Sequence, residues 1–279
     1  KNIAKYEDIL NNYDSMSQVI VEDLERIKEE YTKPRRTAIE NAEEAVFEEK
    51  KIEEQEVVLL MDRFGYTRTV DAAVYERNKD AADMESKYVV SCLNTGKVCL
   101  FTNTGKMHQV KVLDIPYGKF RDKGTPIDNM SNFNSAEEDI VFICDENQFR
   151  IATLLFTTKR GMVKKVSGEE FLVAKRTIAA TKLNDGDELL SVNIINTKQS
   201  IVLQTQGGYF LRFHGSEVSE MKKTAAGVRG IKLQKNDILE HVYLFEEGKE
   251  SKVIYKDKEL TLNRLKQSNR GLTGNKQRG

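Results

Sequence analysis

The chain has 279 residues, 39% hydrophobic and 32% charged, a composition that reads as soluble and globular with room for one large domain or two smaller ones. No apolar run approaches the roughly 18 residues of a membrane span and no signal-peptide pattern opens the chain, so a cytoplasmic location is expected. The formal net charge of zero hides an asymmetry: residues 1–56 carry 9 Lys/Arg against 16 Asp/Glu and the remainder 35 against 28, which suggests an anionic partner for the later part alone.

Because residue 1 is Lys, the start reads as an excised boundary. Residues 1–31 read as helical. Ile3, Tyr6 and Leu10 form one apolar face before a break at Asn11–Asp14. Val19, Ile20, Leu24, Ile27 and Tyr31 then form a second stripe, with Ser15 or Ser17 as its cap. Helices this short want a partner for that stripe. Pro34 opens a mostly charged connector in which Val46 and Phe47 add a short strand, giving a helical segment over 1–45 and a second domain over 46–279.

From Glu56 the hydrophobic period becomes strand-like, and one pattern recurs: an apolar run, a turn with Gly, and a second run ending in basic residues. The copies are Val57–Ala72, Val98–Ile115, Leu154–Phe171 and Ile201–Val218, with a worn fifth at Ser251–Lys266. Their turn glycines, Gly65, Gly105, Gly161 and Gly208, are spaced by 40, 56 and 47 residues. A period of roughly 40 to 50 residues is that of blade-type repeats. Further strands are expected at Tyr88–Leu93, Ile140–Cys144, Leu189–Ile195 and Leu239–Leu244. About four strands per unit make a propeller-like ring or crescent of about five blades, with Leu59, Leu100, Phe156, Leu203 and Ile254 in blade interiors.

A second repeat rides on the first. Fourteen residues past each turn glycine stand Lys79, Lys119, Lys175 and Lys222, with Arg121, Lys123, Arg176 and Lys223 close by and Arg229 and Lys232 further along. Cations recurring at one place in every blade line one rim. Small neighbours such as Gly124, Ala179, Ala226 and Gly227 would let a phosphate reach backbone N–H groups. Lys and Arg are ordinary on solvated loops, but their recurrence in register points to a nucleic-acid track. The candidate phosphate contacts are Lys119, Arg121, Lys123, Lys175, Arg176, Lys222, Lys223, Arg229 and Lys232.

Catalytic and metal chemistry find no footing. Cys92, Cys99 and Cys144 form no CxxC pair and read as reduced core thiols, while His108, His214 and His241 are scattered singly. No nucleotide-binding glycine pattern or Ser/His/Asp grouping is present.

The phrases TNTGKMHQVKVLDIP, KGTPIDN, TIAATKLNDGDELLSV and GVRGIKL resemble the C-terminal domain of the A subunit of bacterial type II topoisomerases, gyrase and topoisomerase IV, and Tyr6–Ile39 is similar to the segment returning from that subunit's coiled-coil arm. The resemblance implies a mainly β fold, the β-pinwheel, whose basic rim holds and bends duplex DNA. It also implies a nucleoid-associated holoenzyme of two A and two B subunits, with ATP and Mg²⁺ used through the B subunit. This chain would contain no cofactor and be inactive alone, and neither Tyr6 nor Tyr13 takes a catalytic role. Gyrase A subunits carry a Q-R-R-G-G-K-G box in the loop after the first hairpin, where this chain reads Tyr75-Glu76-Arg77-Asn78-Lys79-Asp80-Ala81. The missing box, and five hairpins where a full gyrase ring has six, favour the topoisomerase IV branch. The alternatives are a gyrase with a degenerate box, in which the basic, Gly-rich tail Asn269–Gly279 is no relocated copy, and a protein-interaction propeller with an acidic partner.

Overall fold

The computed structural model describes residues 2–34, 36–37, 52–196 and 198–277. It divides into two units, Lys1–Lys51 and Ile52–Gly279. The domain boundary expected at 45/46 and the strand expected at Val46 and Phe47 lie outside the described residues.

The first unit contains α1 (Asn2–Asn11) and α2 (Tyr13–Tyr31). The break narrows to Asn12, whose side chain caps α2 by accepting the Asp14 N–H at 3.1 Å. Neither expected serine caps: Ser15 Oγ donates to the Asp8 carboxylate and Ser17 Oγ to the Tyr13 carbonyl one turn back. Val19, Ile20, Leu24, Ile27 and Tyr31 are all exposed.

The second unit is built of four-stranded antiparallel sheets. Each has three strands in succession: β1 (Glu56–Asp62), β2 (Tyr66–Asp71) and β3 (Ser86–Leu93); β4 (Lys97–Thr102), β5 (Lys106–Lys111) and β7 (Ile140–Asp145); β8 (Thr153–Thr158), β9 (Met162–Ser167) and β11 (Leu189–Ile195); β12 (Gln199–Thr205), β13 (Tyr209–His214) and β15 (Leu239–Glu246). The fourth strand comes from beyond the next hairpin: β6 (Thr125–Pro126), β10 (Thr177–Ala179), β14 (Val228–Arg229) and β18 (Asn275–Lys276). The orders are β3-β1-β2-β6, β10-β5-β4-β7, β11-β8-β9-β14 and β15-β12-β13-β18, so every sheet is completed by a strand exchanged from its neighbour. The fifth hairpin, β16 (Lys252–Tyr255) and β17 (Lys258–Thr261), stays two-stranded, in place of the fifth full blade expected.

Period-2 alternation then stacks the sheets. Along β1, Val57, Leu59 and Met61 face the second sheet while Val58 and Leu60 face the other way; β4 sends Val98 and Leu100 back and Cys99 and Phe101 forward; β8 and β12 repeat this. Both faces of each sheet are thereby buried, which is why the central runs read as continuously apolar. Between the second and third sheets Phe101 meets Phe149, Phe156 and Phe171 edge-on at 5.4–5.9 Å. The three cysteines are buried and unbridged, and burial pushes the Cys92 thiol up to about 12.

The end faces of this stack need covers. Over the first sheet, α3 (Ala72–Arg77) and α4 (Lys79–Glu85) pack Val74, Tyr75 and Ala82 onto Val58, Leu60 and Val70. Over the fourth, β16 and β17 lay Val253, Tyr255 and Leu260 on Val202 and Phe210. Leu59, Leu100, Phe156 and Leu203 are buried as expected, but Ile254 is 74% exposed because, among the described residues, its side of the covering hairpin meets no further sheet.

Candidate nucleic-acid interface

Each exchanged strand is delivered by a loop, and three of the four loops, all but the one before β10, are fastened the same way. A single 3-10 turn follows the hairpin, the chain crosses to the previous sheet, and short backbone bridges form at Thr69/Tyr117, Lys165/Glu220 and Arg212/Gln267. The Thr69 N–H donates to the Pro116 carbonyl at 2.8 Å, while Met221 donates to Lys165 at 2.8 Å and Ser268 to Arg212 at 2.9 Å. The exchanged strand then begins after a glycine with positive φ: Gly124, Gly227 or Gly274. A Cβ there would stand 2.4, 2.7 or 2.6 Å from the carbonyl oxygen of Thr67, Val163 or Phe210. Gly124 and Gly227 therefore serve the close approach of loop to strand, and their role as phosphate nests is not what the backbone requires of them.

Side chains from the hairpins reach up and hold the loops. Gln109 Nε2 donates to the Val173 carbonyl at 3.0 Å, and Arg212 Nη1 to those of Asn263 and Leu265 at 2.6 and 3.3 Å. Lys164 Nζ donates to the carbonyls of Lys223 and Ala225 at 2.7 and 2.8 Å and lies 5.3 Å from the Phe156 ring centre. Its side chain is 1% exposed, and burial, partly opposed by Glu170, lowers its pKa to about 8. Burial also lowers that of Lys165 beside it, with Glu220 opposing. In the second sheet the equivalent residue is His108, which bonds Glu138 Oε1 at 2.8 Å and Thr177 of the exchanged strand at 3.0 Å; burial lowers its pKa against the pull of Glu138.

Of the predicted cations, Lys119, Arg121, Lys123, Lys175, Arg176, Lys222, Arg229 and Lys232 are exposed. They sit on or beside the loops and exchanged strands, and those strands form the same edge of every sheet. The third loop is shorter, yet Arg176 takes the place of Lys123, each two residues before the one paired with the second residue past the turn glycine. Lys123 Nζ lies over the Tyr66 ring at 4.2 Å, and Lys222 pairs loosely with Glu170 at 3.5 Å while staying 83% exposed.

Two expectations change. Lys223 is half-buried and spent on structure, its Nζ donating to the Glu170 carbonyl and its N–H to the Glu170 carboxylate at 2.8 and 2.9 Å, so it is not a free phosphate contact. Lys79 begins α4 on the end cover, because among the described residues the first hairpin has no earlier sheet to which it could send a strand. The fifth unit, in turn, adds cations not singled out from the sequence. Arg270 Nη1 donates to the Arg229 carbonyl at 2.5 Å, and Gly271 N–H and Lys232 N–H lace the fifth loop to the fourth. Lys266 and Lys276 are exposed on the same edge. The tail's basic, Gly-rich character was the available signal.

Stacked four-stranded blades that exchange their fourth strand define a β-pinwheel. Two of the repeats, residues 152–196 and 199–246, match the family described as DNA gyrase C-terminal domain, beta-propeller. The chain is 33% identical over 265 residues to the DNA gyrase A protein of Lawsonia intracellularis, covering 90% of this chain and 32% of that protein. It shares its fold with the C-terminal domain of DNA topoisomerase IV (TM-score 0.71, 24% identity, 80% of this chain and 72% of that one) and with the DNA gyrase A C-terminal domain (TM-score 0.57, 19% identity, 79% and 76%). The family match is thus carried by residues 152–246, and the solved structures extend the likeness in fold to most of the chain. It spans about a third of the length of the curated relatives it matches.

Proposed function

We propose that the chain is the DNA-holding module of a type II topoisomerase A subunit, presenting duplex DNA on the edge formed by its exchanged strands. The observation that carries this reading is the recurrence of exposed cations on tethered loops along one edge of successive sheets. Such cations act as point charges on phosphates and read little base sequence. In this reading the strand-cleaving tyrosine and the ATPase belong to other parts of an A₂B₂ holoenzyme, ATP and Mg²⁺ act through the B subunit, and the chain alone is inert. Tyr6 and Tyr13 take no catalytic part. The site of action is chromosomal DNA in the cytoplasm.

The test is a salt titration by fluorescence anisotropy on two duplexes of different sequence. If the loops neutralise several phosphates, log K falls with log salt at a slope of roughly −3 to −6, and Lys175→Ala/Arg176→Ala lowers the slope by about 1 to 2 on both duplexes alike. An unchanged slope moves the contact surface elsewhere. Absence of duplex binding at low salt favours instead a rim for an acidic protein.

Within the family we assign the chain to the topoisomerase IV type, which relaxes and decatenates. Supporting this, the segment after the first hairpin is the α3–α4 cover, with no glycine and two acids between Tyr75 and Ala81, where a wrapping box would be basic and Gly-rich. The gyrase reading draws on the curated relatives, which carry that name. Negative supercoils introduced into a relaxed plasmid by the full enzyme with ATP decide for gyrase.

A further inference from the structure

Arg68 breaks the tethering pattern. It stands three residues past the first turn glycine, as His108 and Lys164 do in their sheets, and like them it is buried, only 8% exposed. His108 and Lys164 spend their polar atoms on protein partners. The Arg68 guanidinium has no ion pair and no hydrogen bond among the described residues, and its buried Nε has no partner at all. What holds it is Phe120 of the crossing loop, whose ring centre lies 5.7 Å from Cζ. A buried cation without an anion is costly unless something arrives to pair it.

The space in front of Arg68 is built to receive an anion. A cleft of about 970 Å³ opens between α4 and the loop carrying Phe120, and Arg63, Lys87, Arg121 and Lys123 line it together with Arg68. Three carboxylates also face it, but two are already committed: Asp62 accepts the N–H groups of Phe64 and Tyr66, and Asp122 accepts that of Lys119. Five cations against three carboxylates still leave the cleft positively charged. Arg121 and Lys123 belong to both the cleft and the basic edge, so the two surfaces are continuous.

We propose that this cleft is a phosphate-binding site in which Arg68, beside the Phe120 ring, forms a fork on a phosphate group of the nucleic acid lying along the edge. The inference rests on the DNA-holding reading for the source of the phosphate, while the phosphate chemistry stands on the cleft alone. A guanidinium presents paired N–H donors that match phosphate oxygens, and partial exclusion from water strengthens the contact. The first blade thus holds the strand by a pocket where the others offer exposed charges.

The experiment compares wild type, Arg68→Met and Arg68→Lys in two arms. In the first, thermal unfolding is followed with inorganic pyrophosphate. The wild-type midpoint should rise with ligand concentration, Arg68→Met should not respond, and Arg68→Lys should respond weakly. In the second, duplex affinity is measured against salt, and Arg68→Met should lose about 0.9 of the slope, one phosphate's share. A wild type that ignores pyrophosphate and matches Arg68→Met on DNA overturns the site. Pyrophosphate binding with an unchanged duplex slope refutes nucleic acid as the source. If wild type fails to bind duplex, the DNA-holding reading falls while the pyrophosphate arm still decides the cleft. Should Arg68→Met not fold, the exposed pair Arg121→Ala/Lys123→Ala carries the same comparison, with weaker pyrophosphate response expected.

Discussion

Lys164→Met tests whether a buried cation tethers the fourth loop at a cost to stability. Burial takes the ammonium from the ordinary 10.5 down to about 8. Below about pH 8 both folded and unfolded chains hold the proton, and the native state bears the whole cost of the charge. Between the two values the native state releases its proton first, the unfolded chain binds more protons, and stability therefore rises with pH. At about 1.4 kcal/mol per pKa unit the cost near neutral pH is about 3 kcal/mol. Allowing for residual hydration of the ammonium brings it to about 2, of which rather more than half is relieved by about pH 9.5. Met keeps the length and apolar contacts without the charge. Lys164→Met should thus match or exceed wild type by about 1 to 2 kcal/mol near pH 7, with that advantage shrinking by about 1 kcal/mol near pH 9.5. The assay is urea unfolding of both proteins at the two pH values, read as a difference. The difference is needed because the thiols of Cys92, Cys99 and Cys144, whose pKa values burial raises, make both proteins less stable as pH climbs and so cancel. Amide exchange at Thr224–Gly227 should quicken in the variant as its two carbonyl tethers go. A wild-type deficit that stays constant or widens with pH refutes the argument.

Gly227→Ala should destabilise by about 2 kcal/mol or more and release the β14 end of the third sheet, since a Cβ meets the Val163 carbonyl at 2.7 Å and φ is +90°; the check is urea unfolding with exchange at Val228. Ile254→Ser should lie within about 0.5 kcal/mol of wild type, whereas Leu203→Ala should cost about 2 to 5 kcal/mol, both measured by urea unfolding. Equal losses at the two positions would mean that a further sheet covers the fifth hairpin.

The repeats were legible because two local rules wrote them. Gly65, Gly105, Gly161 and Gly208 all need the left-handed backbone at their turns, and the apolar runs beside them are long enough to mark strands buried on both faces. The worn fifth copy hid its turn because Lys256 and Asp257 adopt positive φ without glycine, and the openness of its outer face was hidden with it. Strand exchange had no local signature. Thr125–Pro126, Val228–Arg229 and Asn275–Lys276 are too short for any period to show, and their partners lie 58 to 67 residues away in sequence. The glycines before them were ambiguous for a physical reason: a backbone approached by a phosphate and one approached by a neighbouring carbonyl both require the missing Cβ. Basic side chains were similarly ambiguous, since Lys164 and Lys222 look alike in sequence and only packing makes one a tether and the other a free charge.

The distinction between those two kinds of cation sets what the edge can and cannot vary. An exposed residue such as Lys175 adds little to stability, so in the DNA-holding reading its loss would be felt only by the bound polyanion. Lys164, Gln109 and Arg212 hold the loops that deliver the exchanged strands, so their removal acts on sheet completion and on charge placement together. The same segment carries both the strand that closes one blade and the cations of the next. A duplex bound across several loops therefore bridges strands contributed by different blades and opposes their separation. Binding should raise the unfolding midpoint of the second unit by mass action, and more for duplexes long enough to cross several loops than for short ones of equal total phosphate. Equal midpoint shifts for long and short duplexes would mean that the loops bind independently and that strand exchange does not couple them.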